Sequence, residues 1–299
     1  MENKSGHLCA LVTILIWGTT FISTKVLLLS FKPVEILFFR FLLGLLILLA
    51  VYPHRLLISD KKQERTFALA GLTGVCLYYL LENIALTYTS ASNVGVIISA
   101  APFFTSFLTR GEEKPRINFY IGFLISMAGI CLISFSSSKL QLNPIGDILS
   151  LLAAFVWACY AVITKKISSF GYNTVQTTRR VFIYGLIFML PVLIFSDFSL
   201  GLQRFTDAKN LLNILYLGAG ASALCFVTWN IAVKALGALK TSVYIYIVPV
   251  ITVVTSLIVL NEKITISSAV GTILTLLGLI MSQKKTILKT RGNENECTE

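Results

Sequence analysis

The chain contains its own sequence twice. Ala85 to Pro102 reads ALTYTSASNVGVIISAAP, and Ala232 to Pro249 reads AVKALGALKTSVYIYIVP, a shift of 147 positions. With that shift Asn83 falls on Asn230, Ala85 on Ala232 and Pro102 on Pro249. Nearer the start of each copy the shift is 140, which sets Trp17 on Trp157, Lys25 on Lys165 and Arg40 on Arg180. Nearer the end, the run Glu113, Gly122, Gly129 is answered by Glu262, Gly271, Gly278. Each copy carries about five apolar stretches. As membrane helices, an odd number of them forces the second copy to enter the bilayer from the opposite side. Inverted repeats of this kind are an architecture of transport proteins, with the binding site where the halves meet.

Composition places these stretches in lipid. The chain is 56% hydrophobic and only 13% charged, against about 25% charged residues in a soluble domain. Apolar runs near 20 residues recur throughout, the length at which a helix spans the hydrocarbon core. The expected fold is an all-α polytopic membrane protein with ten transmembrane helices as two inverted five-helix repeats. The spans fall at roughly 8–29, 33–53, 67–87, 93–109, 118–135, 146–166, 174–195, 211–234, 241–260 and 267–283. The repeats are read as residues 1–139 and 140–285, and the polar tail 286–299 as a disordered cytoplasmic segment. The first stretch is too long for a cleavable signal peptide.

The net charge of +11 lies in short loops and reads as topogenic, with no nucleic-acid partner. With the N-terminus inside, 16 Lys and Arg fall in inner segments and 5 in outer ones. This excess predicts a multi-pass protein of the cytoplasmic membrane with both termini cytoplasmic. Five of the six cysteines lie in or at the edge of spans and none forms a CxxC, so they read as small buried hydrophobes. His7 and His54 have no second ligand at helical spacing, so no metal and no cofactor is expected. The longest internal loops, 53–66 and 196–210, are too short for a folded catalytic domain. Function must be built inside the bundle.

The order of particular residues adds a family. The first copy has Trp17-Gly18 and Phe21 in its first span, Arg40 within FFRFLLG, then ENIALTYTSAS, Pro102 and an acidic turn before Gly122. The second has Trp157-Ala158 with Tyr160, then Arg180, WNIAVKALGA, Pro249 and NEKIT before Gly271. This succession resembles the EamA-type domain of the drug/metabolite transporter superfamily, twice, over nearly the whole chain. The resemblance implies ten helices in two inverted halves working by alternating access. It leaves the substrate open, because the superfamily includes exporters of amino acids, drugs and other metabolites, as well as importers and exchangers. The first copy departs from the pattern at TRGEEKP (109–115), where its fourth span ends early.

Thirteen of the fourteen acidic residues lie in loops, tails or span ends; Glu82, within CLYYLLENIAL, does not. A carboxylate inside a membrane is expensive and has a partner or a job. Glu82 lies six residues before Tyr88 and Arg40 seven after Pro33, so both sit about 10 Å below the outer surface at ~1.5 Å per residue. They are expected as neighbours, either as a fixed ion pair or as a cavity-facing pair suited to a zwitterion or to proton exchange. Glu82 maps to Trp229 in the second copy, whereas Asn83 and Asn230 match. The two amides are expected on opposite walls of one cavity, or else bonded to neighbouring helices. Arg180, the repeat mate of Arg40, is the candidate gate contact.

Aromatics add a second layer. Tyr78 and Tyr79 share a face with Glu82, and Phe226 shares one with Trp229. Trp17, Trp157 and Tyr160 approach from spans 1 and 6, and Tyr244 and Tyr246 precede Pro249 in span 9. Together they could line an aromatic substrate cavity. Pro102 and Pro249 are expected to kink spans 4 and 9 and to act as hinges. Gly122, Ser126, Ala128 and Gly129 of span 5, with Gly271, Thr275 and Gly278 of span 10, allow close helix contact and mark a scaffold or a homodimer surface. Glu113 and Glu262 favour the positive ends of those helices.

No nucleotide loop, nucleophile elbow or zinc motif is present in the sequence. The expected function is therefore not enzymatic. It is secondary export of a small organic metabolite, amino acids first, from a bundle bathed in lipid. The competing substrate class is lipophilic drug-like cations, which would use Glu82 and the aromatics without Arg40. A membrane enzyme acting on lipid-linked substrates would need a polar catalytic cluster near one interface, and a channel a ring of like polar groups.

Overall fold

The computed structural model describes residues 4–58, 60–89, 91–109, 117–136, 143–196, 198–260 and 266–283. Ten apolar helices make up these residues. They are α1 (Lys4–Leu27), α2 (Pro33–Val51), α3 (Lys61–Tyr88), α4 (Ala91–Ile98 and Ala101–Leu108) and α5 (Ile117–Ser136). The second set is α6 (Pro144–Ser168), α7 (Thr174–Phe195), α8 (Ala208–Leu236), α9 (Ala238–Val243, Tyr244–Ile247 and Val248–Leu260) and α10 (Ile266–Gln283). By length and composition six of them can cross a membrane, and α4, α5, α9 and α10 are shorter apolar helices. The expected roles of Glu113, Glu262 and the 286–299 tail lie outside the described residues.

Local sequence starts the helices cleanly. Pro33 opens α2, and Glu35 reaches back to the Lys32 N–H at 2.8 Å. Asn143 accepts from the Ile145 and Gly146 N–H groups ahead of α6, and Asn173 from those of Val175 and Gln176 ahead of α7. Each cap satisfies N–H groups that a helix start leaves open. Gly237, at φ 93°, makes the turn from α8 into α9, a conformation that only glycine adopts freely.

The two halves are inverted. Helices α5 and α10 occupy equivalent places in the two copies, yet they run antiparallel: Gly122 abuts Gly278, and Gly129 abuts Gly271. Helices α2 and α7 do the same, with Lys32 beside Ser196 and Tyr52 beside Arg179. Other contacts recur in mirrored pairs. Gly6 packs on Ala235 and Leu236, while Gly146, its repeat mate, packs on Tyr88 and Thr89. Likewise α1 packs on α8 and α6 on α3, and α2 packs on α8 as α7 packs on α3. The glycine faces of α5 and α10 are turned to each other, with Ser126 Oγ donating to the Thr275 carbonyl at 3.2 Å. That is the scaffold role: the glycine faces meet each other within the chain.

The helices loosen at equivalent places. A π-helical turn runs over Leu72–Leu77 in α3 and over Tyr216–Leu224 in α8. Helix α4 breaks at Ser99 and Ala100, and α9 tightens to a 3₁₀ turn over Tyr244–Ile247. Pro102 and Pro249 therefore do not kink continuous helices, as the sequence suggested. Each is the second residue of a new helical segment, where its missing N–H costs little.

A side chain at Gly129 meets backbone: an added Cβ would lie 2.5 Å from the Gly271 carbonyl oxygen. Gly129→Val is predicted to cost about 2 kcal/mol through overpacking, read as a fall of roughly 4–8 °C in thermal unfolding. Gly220→Ala, where the nearest atom is 3.6 Å away, serves as the neutral control. Equal melting of the two variants would contradict the tight α5–α10 contact.

Candidate functional site

One cavity lies where the halves meet. Trp17, Thr20 and Phe21 enter it from α1, Tyr78, Tyr79 and Glu82 from α3, and Ile98 from the end of the first segment of α4. Trp157 comes from α6, and Ile245 and Val248 from the 3₁₀ turn of α9. The space among them is about 420 Å³, counted with its open mouth. The spacings i, i+3 and i+4 on α1 and α3 put these side chains on single helix faces. Glu82 is the sole charged residue of this lining, and it is 2% exposed. Its electrostatic neighbours are Arg40 and the Tyr78 hydroxyl.

Around the cavity the aromatics form one continuous layer. Trp17 meets Trp157 edge-on at 5.0 Å and Trp229 at 5.2 Å, and Tyr78 meets Trp157 at 4.8 Å. Tyr160, Phe226 and Trp229 back this layer without lining the cavity. Trp17 Nε1 donates to the Ala221 carbonyl at 2.9 Å, in the π turn of α8. The Nε1 atoms of Trp157 and Trp229 have no partner among the described residues.

Arg40 is fully buried, and its environment differs from expectation. Nε donates to Ser222 Oγ at 3.0 Å, and the guanidinium carbon lies 4.3 Å from the centre of the Tyr79 ring. Among the described residues there is no direct Arg40–Glu82 ion pair; the pairs are Arg180–Glu64 and Arg204–Glu35. Matched depth set the two charges on one level. It did not set the direction each takes around its helix, and Arg40 turns toward α8.

Of the two alternatives for the asparagines, the structure shows bonds to neighbouring helices. Asn83 Nδ2 donates to the Pro33 carbonyl at 3.1 Å, tying α3 to the start of α2. Asn230 accepts from the Tyr160 hydroxyl at 3.0 Å and donates to Thr178 Oγ1 at 2.9 Å, tying α8 to α6 and α7. Neither lines the cavity. Adjacent helix positions lie 100° apart, so Asn83 faces α2 where Glu82 faces the cavity.

Arg180 lies at the start of α7, where Nε donates to Glu64 at 2.8 Å and Tyr184 shares the same carboxylate. It clasps α7 to α3 away from the cavity. The 3₁₀ turn of α9 spreads its side chains: Tyr244 hydrogen-bonds His7 of α1, Ile245 enters the cavity, and Tyr246 packs near Phe123 of α5. Tyr246 is thus outside the cavity. Sequence reading missed Thr20, Phe21, Ile98, Ile245 and Val248 as lining and Ser222 as the partner of Arg40. Thr20 and Phe21 were recoverable from their i+3 and i+4 spacing to Trp17; the others depend on irregular helix turns.

Ten apolar helices in two inverted halves, closing on a cavity with one buried carboxylate, define a membrane transporter of the inverted-repeat class. The chain belongs to the EamA-like transporter family, whose model matches it twice, at residues 4–135 and 144–283. An uncharacterized transporter of Archaeoglobus fulgidus is 31% identical over 95% of this chain and 99% of its own length. A "Probable amino-acid metabolite efflux pump" of Salmonella typhimurium is 26% identical over 94% of this chain and 95% of its own. A crystal structure at 17% identity matches the fold with a TM-score of 0.78, covering 95% of this chain and 97% of that one.

The hydrogen bonds of Asn83 and Asn230 predict a packing role. Asn83→Ala and Asn230→Ala should each lower stability by about 0.6 kcal/mol, the average for such bonds in a membrane bundle. In reconstituted transport assays their KM should match the wild type. A several-fold rise in KM with unchanged stability would return them to the substrate site.

Proposed function

We propose that this protein is a secondary active exporter of small amine-bearing organic metabolites, amino acids first, working by alternating access across the cytoplasmic membrane. The observation that carries this reading is that the Glu82 carboxylate shares one cavity lining with Trp17, Tyr78, Tyr79 and Trp157. A carboxylate attracts an ammonium group, and aromatic rings bind the same group through their negative faces. The walls come from both halves, so rocking one half against the other exposes the cavity to one side at a time. The breaks in α4 and α9 are the points at which such bending is cheapest. On the side of the chain termini, His7–Tyr244 joins the two halves and is the contact that parts in the other state. The excess of Lys and Arg on that side supports its assignment to the cytoplasm. The printed name of the Salmonella relative supports amino acids as the first class to try.

A second reading, efflux of lipophilic cations, is favoured by one fact: Arg40 is absent from the lining, which is otherwise apolar or aromatic apart from Thr20 and Glu82. Counterflow in proteoliposomes, with labelled amino acids and cationic dyes side by side, tests both. Exchange of at least one amino acid is expected, and Glu82→Gln should lower it by at least about tenfold, as loss of a buried charge partner does. Exchange of dyes alone selects the second reading. Wild-type exchange by Glu82→Gln overturns both.

A further inference from the structure

Two opposite charges are buried close together in this bundle and do not pair. Glu82 faces the cavity, while Arg40, with no exposed surface, lies behind Tyr79. Nη1 and Nη2 of Arg40 have no hydrogen-bond partner among the described residues. A guanidinium without an anion is costly inside a membrane, and collapse onto Glu82 would relieve it. The packing prevents that collapse: Ser222 holds Nε at 3.0 Å, and Tyr79 stacks on the guanidinium at 4.3 Å. What remains is a planar fork of N–H donors, whose geometry matches the two oxygens of a carboxylate.

Resting on the exporter reading above, we propose that Arg40 is a second, carboxylate subsite. Nη1 and Nη2 take the α-carboxylate of the substrate while Glu82 and the aromatic faces hold its ammonium group. The Tyr79 ring both lines the cavity and stacks on Arg40, so its rotation joins the two subsites. The protein then selects zwitterions over amines that carry the same side chain. A bound zwitterion also neutralises both buried charges at once, which neither an amine nor an inorganic anion does.

The chain has three tryptophans, Trp17, Trp157 and Trp229, and all three sit in the aromatic layer, so their fluorescence reports on the cavity. The full-length protein in lipid nanodiscs is titrated with amino acids, each beside its decarboxylated amine, and with chloride. In the wild type at least one amino acid should bind at least about tenfold tighter than its amine, a modest figure beside the cost of leaving a buried charge unpaired. Arg40→Gln should abolish that preference and leave the affinity for the amine unchanged. Equal wild-type affinities for acid and amine overturn the subsite without any variant, and so does a preference that survives Arg40→Gln. Chloride that competes with the amino acid in the wild type but not in Arg40→Gln assigns the fork to an inorganic anion and also overturns it. If neither acid nor amine binds, the exporter reading itself falls, a result distinct from equal binding.

Discussion

Lipid offers nothing to hydrogen-bond a backbone, and that constraint organises this molecule. Each N–H and C=O at membrane depth must be satisfied within the protein, so the chain is helical wherever it meets lipid. Departures are tolerated only where other protein surrounds them. The π turns of α3 and α8 and the interruptions of α4 and α9 obey this rule. Gly74, in the first π turn, lies against the Tyr160 ring, and Gly218, in the second, against Leu43. Tyr78, Tyr79, Ile98, Ile245 and Val248 of the lining lie on or beside the segments of α3, α4 and α9, and the π turn of α8 carries Ser222. Such turns widen or re-aim a helix locally and are frequent at functional sites.

The frame is symmetric and the chemistry is not. The glycine contacts of α5 with α10 and the mirrored contacts of Gly6 and Gly146 keep the two copies alike. At the centre they diverge. Arg180 meets Glu64 near the surface, whereas its mate Arg40 is sealed in beside Ser222, Tyr79 and Phe41. Glu82 has Trp229 as its mate, so a charge in one copy is answered by an indole in the other. On the proposed mechanism, the symmetry serves alternation and the asymmetry the choice of cargo. The first half supplies the charges, and both halves supply the aromatic surface.

Much of this was legible in the residues. The two repeat offsets, together with an odd number of spans in each copy, required inversion, and the antiparallel Gly122–Gly278 and Gly129–Gly271 contacts are that inversion. Glu82 stood out as a carboxylate inside a span, Tyr78 and Tyr79 share its face, and Trp17 and Trp157 are repeat mates; all five line the cavity. What escaped was direction around the helix axis. Asn83 and Arg40 face their neighbours, because counting residues along a helix gives height and not azimuth. Tyr246 escaped for a related reason: a 3₁₀ turn rotates about 120° per residue where an α-helix rotates 100°, so Ile245 took the cavity position. The π turns leave no mark in composition.

The central claim is that one cavity, walled by both halves, is opened to each side of the membrane in turn. The most direct measurement uses Thr20→Cys, at the cavity wall, in an otherwise cysteine-free chain reconstituted in vesicles. A membrane-impermeant maleimide is applied from one side and then from the other, with and without an amino acid that exchanges. The account predicts reaction from both sides during turnover and slower reaction when the cavity is occupied. Reaction from neither side, or at a rate the amino acid leaves unchanged, would contradict it.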